Sequence, residues 1–235
     1  MPRQHRLPSA AGAGRLLLWG REETIALWQP KVLLVCAVLL VLGGCGGNTL
    51  EPRAPKPRPN DWRLIATQAD RDRIARWRQA WITGLDKAAA GNAPQIAAQG
   101  PLLKPDLALD DPLLPAGDYR CRTFKLGAQA KGLMDYVAYP FFTCRVTTVD
   151  GRIHLAKTDG SQRPVGDIFP DEGRRMIFLG AMALGDETRP LPYGRDAERD
   201  MAGIVERVAA ERWRIAFPYP RWESTIDILE LIPKR

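Results

Sequence analysis

From Asp118 to the end of the chain, apolar residues recur at every second position, whereas before it they recur every third or fourth. A period of two belongs to an extended strand with one buried face. Such runs span 118–127, 135–149, 152–158, 164–169, 174–184, 201–208, 212–219 and 224–232. Turn formers separate most of them: Asp150-Gly151, Asp159-Gly160, Asp171-Glu172-Gly173, Gly185-Asp186 and the Pro218/Pro220 pair. Eight short strands at hairpin spacing predict an antiparallel up-and-down barrel or a strongly curved sheet. No helical run interrupts them, which argues against a parallel βαβ sheet. Closure would also remove the edges that invite aggregation.

The segment before the strands reads as helical. Thr67 can cap a helix, with Asp70 three residues on. Ile74, Trp77, Trp81 and Leu85 then fall on one face, and Gly91 is a plausible stop. Such a Trp stripe is expected to pack on the β region. A short helix is expected at Ala93–Gln99 within a Pro-, Ala- and Leu-rich wrapping stretch over 92–117. The prediction is one globular domain over 61–235, mainly β, with helical and wrapping segments over 61–117 and the barrel-like region over 118–235.

The first 60 residues carry different signals. Residues 32–44 are 13 residues without a charge, too short for the roughly 20 needed to span a bilayer. With Lys31 as the positive flank, they fit the apolar core of a signal peptide over 1–44. Leu42-Gly43-Gly44-Cys45 resembles a bacterial lipobox. That resemblance implies diacylglycerol on the Cys45 sulfur, cleavage before it and acylation of the new amino group. Together these give the two signals a stable anchor needs. Gly46 stands where an inner-membrane retention signal would carry Asp. The expected location is therefore the outer membrane, facing the periplasm. Residues 1–30 are long for a leader and contain Pro2, Pro8 and Pro30, so a start codon assigned too far upstream is the alternative. Residues 45–60, with four prolines after the cysteine, read as an extended tether.

Charge and residue inventory exclude several functions. Five of the 34 Lys and Arg and two of the 27 acids lie in residues 1–44, leaving an excess of four positive charges. These are interspersed, as in Glu198-Arg199-Asp200, without the clustering a nucleic-acid footprint needs. After residue 44 there is a single histidine, His154, so a zinc site of common type is not expected, and any Ser-His-Asp triad would have to use it. Nucleotide-binding loops and the G-x-S-x-G elbow are missing, and no cofactor is implied. Paired acids such as Asp110-Asp111 and Asp171-Glu172 sit in turns, where solvation explains them. Cys121 and Cys144 are the two remaining cysteines, on neighbouring predicted strands in an oxidising compartment, and are expected to form a disulfide.

Two places invite a functional reading. The loop Lys157-Thr158-Asp159-Gly160-Ser161-Gln162-Arg163-Pro164 is at least a hairpin turn, its Asp-Gly supplying the special dihedrals. At a barrel mouth, Lys157, Ser161, Gln162 and Arg163 would also be donors to a ligand. The second place is Trp213-Arg214 with Trp222-Glu223-Ser224 near the last hairpin. Core packing and strand pairing are the simpler explanation of the tryptophans.

A set of separated motifs resembles one family. These are Asp70-Arg71-Asp72-Arg73 to Trp81, Gly117-Asp118-Tyr119-Arg120-Cys121-Arg122, Gly160-Ser161-Gln162-Arg163-Pro164-Val165-Gly166 and Phe178-Leu179-Gly180. Further along come Arg199-Asp200-Met201-Ala202-Gly203 with Glu206-Arg207, Trp213-Arg214, and Glu223-Ser224 to Glu230-Leu231. In this order, over about residues 60–234, they resemble the domain of unknown function 4893, found in exported proteins of alphaproteobacteria, especially sphingomonads. The resemblance implies export and brings no activity, cofactor or catalytic residue. At the level of topology alone the chain is similar to small periplasmic barrels such as the membrane-bound lysozyme inhibitor and metalloprotease inhibitor families, a likeness that does not carry function.

The expectation is a non-enzymatic binding module held to the membrane by its lipid, offering a barrel mouth or loops to an envelope ligand or protein and not to nucleic acid. One alternative is an inhibitor of a hydrolase acting through the 157–164 loop. Another is a carboxylate-dependent envelope hydrolase. A pocket would favour binding, a rigid loop on a filled barrel inhibition, and converging buried acids with raised pKa an enzyme.

Overall fold

The computed structural model describes residues 60–235, so the signal peptide, Cys45 and most of the tether lie outside the described residues. Three helices come first: α1 (Trp62–Ile65), α2 (Gln68–Ala75) and α3 (Trp77–Ala97), followed by a 3-10 turn at Gly100–Leu103. Nine strands follow: β1 (Gly117–Ala128), β2 (Tyr136–Ala138), β3 (Phe142–Val149), β4 (Arg152–Lys157), β5 (Gln162–Pro170), β6 (Met176–Leu184), β7 (Asp200–Ala209), β8 (Arg212–Pro218) and β9 (Ser224–Pro233). Successive strands pair antiparallel from β3 to β9, and β9 returns to pair with β1 along Tyr119↔Pro233 to Ala128↔Ser224. The result is a closed eight-stranded up-and-down barrel, with the short β2 as an extra strand beside β1.

Alternation decides what faces inward. Tyr119 and Cys121, Ile153 and Leu155, Phe178, Val205, Ile215, Leu229 and Leu231 form one buried cluster that fills the barrel. Gly166 pairs with Gly180 across β5 and β6. A Cβ at either would stand 2.7–2.8 Å from Phe178 Cζ and closer still to backbone, so the two glycines make room for that ring. Phe178 in turn meets Phe217 edge to face at 5.5 Å. Leu114 plugs one end, where the Tyr119 hydroxyl donates to Pro115 O and Trp213 Nε1 to Leu113 O. The Cys121–Cys144 disulfide is formed inside this core, joining β1 to β3 with 5.8 Å between Cα atoms.

The helices cover part of the outside. Ala80, Trp81 and Ala88 of α3 pack on Phe124, Leu126, Ala216, Ile226 and Ile228. Trp62 of α1 and Ile74 of α2 pack on Phe169, Ile177, Leu179, Ala202 and Ile204. The Trp stripe is thus largely spent on the barrel, as its spacing suggested.

Three local expectations need correction. The single helix from Thr67 to Gly91 is two helices: Thr67 caps α2, but Arg76 leaves helical geometry at φ −98°, ψ 13°. The break lets α2 lie on β7 and α3 on β1 and β9, which curve away from one another. Gly91 does not stop α3. The helix bends at Asn92 (φ −133°) and continues to Ala97, absorbing the short helix expected at 93–99, with Pro94 in the first turn after the bend. The strand expected over 135–149 is interrupted at Tyr139-Pro140-Phe141. Proline brings no N–H to the ladder, and here β1 changes partner from β3 to β2.

Candidate functional site

The end of the barrel opposite Leu114 is polar. On β1 the inward positions run Tyr119, Cys121, Thr123, Lys125, so the strand carries an ammonium inward at its far end. On β9 they run Asp227, Leu229, Leu231. Lys125 and Asp227 face each other across the closing pair, both buried. Lys125 Nζ lies 3.0 Å from Asp227 Oδ2 and 3.0 Å from Glu223 Oε2. The Ser224 hydroxyl donates to the other oxygen of Asp227. Burial works to lower the Lys125 pKa, but Asp227 and Glu223 outweigh it and the net direction is upward.

The second inward lysine has different company. Lys157, 6% exposed at the end of β4, donates to Asp159 O at 2.8 Å and Gln162 O at 2.9 Å and stands 3.8 Å above the Phe142 ring. Both carbonyls belong to its own turn. Gly160 sits at φ +81°, which favours glycine in the turn, and a Cβ there would be 2.7 Å from Lys157 Nζ and would push the ammonium aside. Burial pulls Lys157 down to about 8, opposed by Asp159 and assisted by Arg163.

Between the two lysines lies a cavity of about 250 Å³ lined by Thr123, Lys125, Tyr139, Phe142, Lys157, Ser161, Gln162 and Glu223. On the other side of Lys125 a pocket of about 20 Å³ is bordered by Glu198, Asp200 and Asp227. Burial raises the pKa of Asp227 and of Asp200. The turn from β8 to β9 that carries Glu223 contains two non-glycine residues in left-handed geometry, Tyr219 at φ +48° and Glu223 at φ +74°. Gln129 fastens this turn, its N–H on Glu223 O and its side-chain amide on Pro220 O.

Of the residues singled out from the sequence, the fold brings Lys157, Ser161, Gln162 and Glu223 to one cavity, from two turns some 60 residues apart. It takes three others elsewhere. Arg163 donates to Gly160 O, Gly185 O and Glu187 O, locking two turns together rather than meeting an acid such as Asp167 or Glu206. Trp213 is in the core at the plugged end. Arg214 is fully buried on the outer face, paired with Glu206 and donating to the carbonyls of Pro101, Leu102, Lys104 and Pro105. His154 lies on the outer wall with Nδ1 2.8 Å from Asp167 Oδ1. Among the described residues, no group of three or more His, Cys, Asp or Glu is placed to hold a metal ion. Lys125 and Asp227 escaped the sequence reading. The signal was there: two opposite charges at inward positions of strands whose inward face otherwise carries no charge.

A family model described as "Domain of unknown function (DUF4893)" matches residues 62–231. Among curated proteins, the chain is similar to 1,2-epoxyphenylacetyl-CoA isomerase of Escherichia coli (strain K12), 32% identical over 89 residues, which is 37% of this chain and 34% of that protein. The chain thus spans about a third of the length of the curated relative it matches. No solved structure matches.

Proposed function

The chain belongs to the DUF4893 family, and from its geometry we propose that it is a non-enzymatic binding module. Anchored through Cys45 to the outer membrane, it would present the polar barrel mouth to an anionic group of a periplasmic ligand. One observation carries this reading: the ammonium of Lys157 is withdrawn from water into a cavity wall, yet its partners are two carbonyls and a phenyl face instead of a carboxylate. A buried charge with no carboxylate in contact is costly, Asp159 offsetting the burial only in part, and an incoming carboxylate or phosphate would supply that contact. Ser161 and Gln162 add neutral polar groups beside it. At about 250 Å³ the cavity is smaller than a typical drug-sized pocket of ~300–1,000 Å³. It suits a compact terminal group of a larger molecule.

The test is a titration with inorganic phosphate and with acetate, followed by amide NMR, with choline chloride as a cationic control. Shifts should cluster at residues 123–125, 157–162 and 223, and Lys157→Met should abolish them. Equal response to choline, or no response to either anion, defeats the reading. Two observations speak for the alternatives. Lys157 and Arg163 fix the 157–164 loop on a filled barrel, which suits an inhibitor. Asp200 and Asp227 have raised pKa values beside one pocket, which suits a hydrolase, but about 20 Å³ holds little more than one water.

A further inference from the structure

Lys125 has two carboxylate partners where one would neutralise it, and the two are held differently. Asp227 is buried on the ladder of β9, hydrogen-bonded by Ser224, with its side chain 7% exposed. Glu223 comes from the turn before β9, its side chain is 40% exposed, and it borders the cavity. Its backbone adopts φ +74°, a conformation that a β-carbon makes unfavourable and that glycine or asparagine would adopt more cheaply. That geometry puts the Glu223 carboxylate on Lys125. Asp227 already balances the buried charge, so this second contact is not needed to keep Lys125 paired.

We propose that Glu223 is a displaceable counter-ion: it occupies the place at Lys125 that a compact oxyanion takes when it enters the cavity, and swings outward to solvent as that oxyanion binds. The proposal rests on reading the mouth as an anion site and adds how the site is kept closed to weak ligands. The ligand must outcompete a tethered carboxylate. Chloride is rejected, while an oxyanion able to contact Lys125 and face Lys157 together is accepted. Tyr139 and Thr123, the remaining polar groups of the wall, face the same space. Asp227 stays in place throughout, keeping Lys125 charged whether or not the cavity is filled.

The experiment compares phosphate binding by the wild-type domain, Glu223→Gln and Glu223→Gly, using isothermal titration and amide NMR at pH 7. Glutamine keeps the size and removes the charge. Glycine also relieves the left-handed backbone. Both variants should bind inorganic phosphate about fivefold more tightly, the scale of a partly exposed ion pair, and Glu223→Gly should melt no lower than wild type. If wild type and both variants bind phosphate equally, or the variants bind it more weakly, Glu223 is not a competitor and the proposal falls while the anion site survives. If none of the three binds phosphate or acetate, the anion site and the proposal fall together. A lower melting temperature for Glu223→Gly with unchanged affinity would make Glu223 a structural counter-ion and overturn the proposal.

Discussion

Two walls of one barrel are built from different sequences. β6 is buried at all but its last position, and β9 from Ser224 to Leu231, because a helix lies outside and the barrel core inside. In β4 burial alternates residue by residue: Ile153, Leu155 and Lys157 are inside, while Arg152, His154 and Ala156 are less buried. On the open wall the outward side chains are tied only by pairs such as Arg145–Asp118 at 2.8 Å and Arg152–Asp167 at 3.5 Å. On the covered wall the outward side chains include Ile177, Leu179, Ile226 and Ile228, and even the outward charges are enclosed. Arg214 and Glu206 are both fully buried there. A continuous apolar run and a strict alternation are thus the same structure seen with and without a second layer.

The contrast can be broken most strongly on the covered side. Arg214→Ala should cost about 3–5 kcal/mol in urea denaturation, since it leaves the buried Glu206 with Arg175 as its one cationic partner and takes the donor from four carbonyls of the 101–105 segment. It should also free the 101–105 segment, detectable as faster amide exchange. A loss under about 1 kcal/mol would mean that this charge is far more solvated than its burial implies. Trp81→Ala should cost a similar ~3–5 kcal/mol. Trp81→Phe should cost much less, because the buried indole N–H has no acceptor among the described residues and its removal relieves an unmet donor.

The seam between the walls comes next. β1 lies under α3, β3 is open, and the disulfide joins them. Replacing Cys121 and Cys144 with alanine should cost about 3 kcal/mol in the chain-entropy picture for a loop of this length. Protein isolated from the envelope with two alkylatable thiols at these positions would refute the bond.

At the mouth, pH separates the two lysines. Lys157 titrates near 8 in the folded protein and near 10.5 when unfolded. Between these values the unfolded chain holds a proton that the folded chain has shed, so this group makes stability rise with pH across that window. Its charge, and with it anion affinity, should fall as pH climbs through about 8. Lys125 shifts the other way, so its contribution is intact below the usual lysine pKa and is lost only above it. In Lys157→Met the rise of stability over pH 8–10.5 should flatten, and an unchanged slope would place the effect elsewhere. Smallest of all, His154→Ala and Arg145→Ala on the open wall should stay within about 0.5 kcal/mol of wild type in thermal melts.

The strands were legible because alternation and turn formers are local, and every predicted run has a strand within it. The breaks were not. Arg76 is an ordinary helix former, and only the curvature beneath α2 and α3 explains why the chain leaves the helix there. Pro140 did carry a warning, outweighed by the good alternation on both sides of it. For the mouth, Ser161 and Gln162 could be suspected from the Asp159-Gly160 turn, and Glu223 from its aromatic neighbour. That they converge with Lys125 depends on β9 closing on β1, a pairing no local period records.

That closure also sets the order in which the molecule can come into being. The partners in it, such as Tyr119 with Pro233, stand about a hundred residues apart, so the chain must search long before the contact rewards it. Until the last ten-residue strand has emerged, β1 and β8 are two raw edges able to recruit a neighbouring copy. A chain cut between Pro218 and Ser224 would keep those edges for its lifetime. Rather than a slightly less stable barrel, it would be a seed for aggregation, and the C-terminal strand serves as the clasp that ends that hazard.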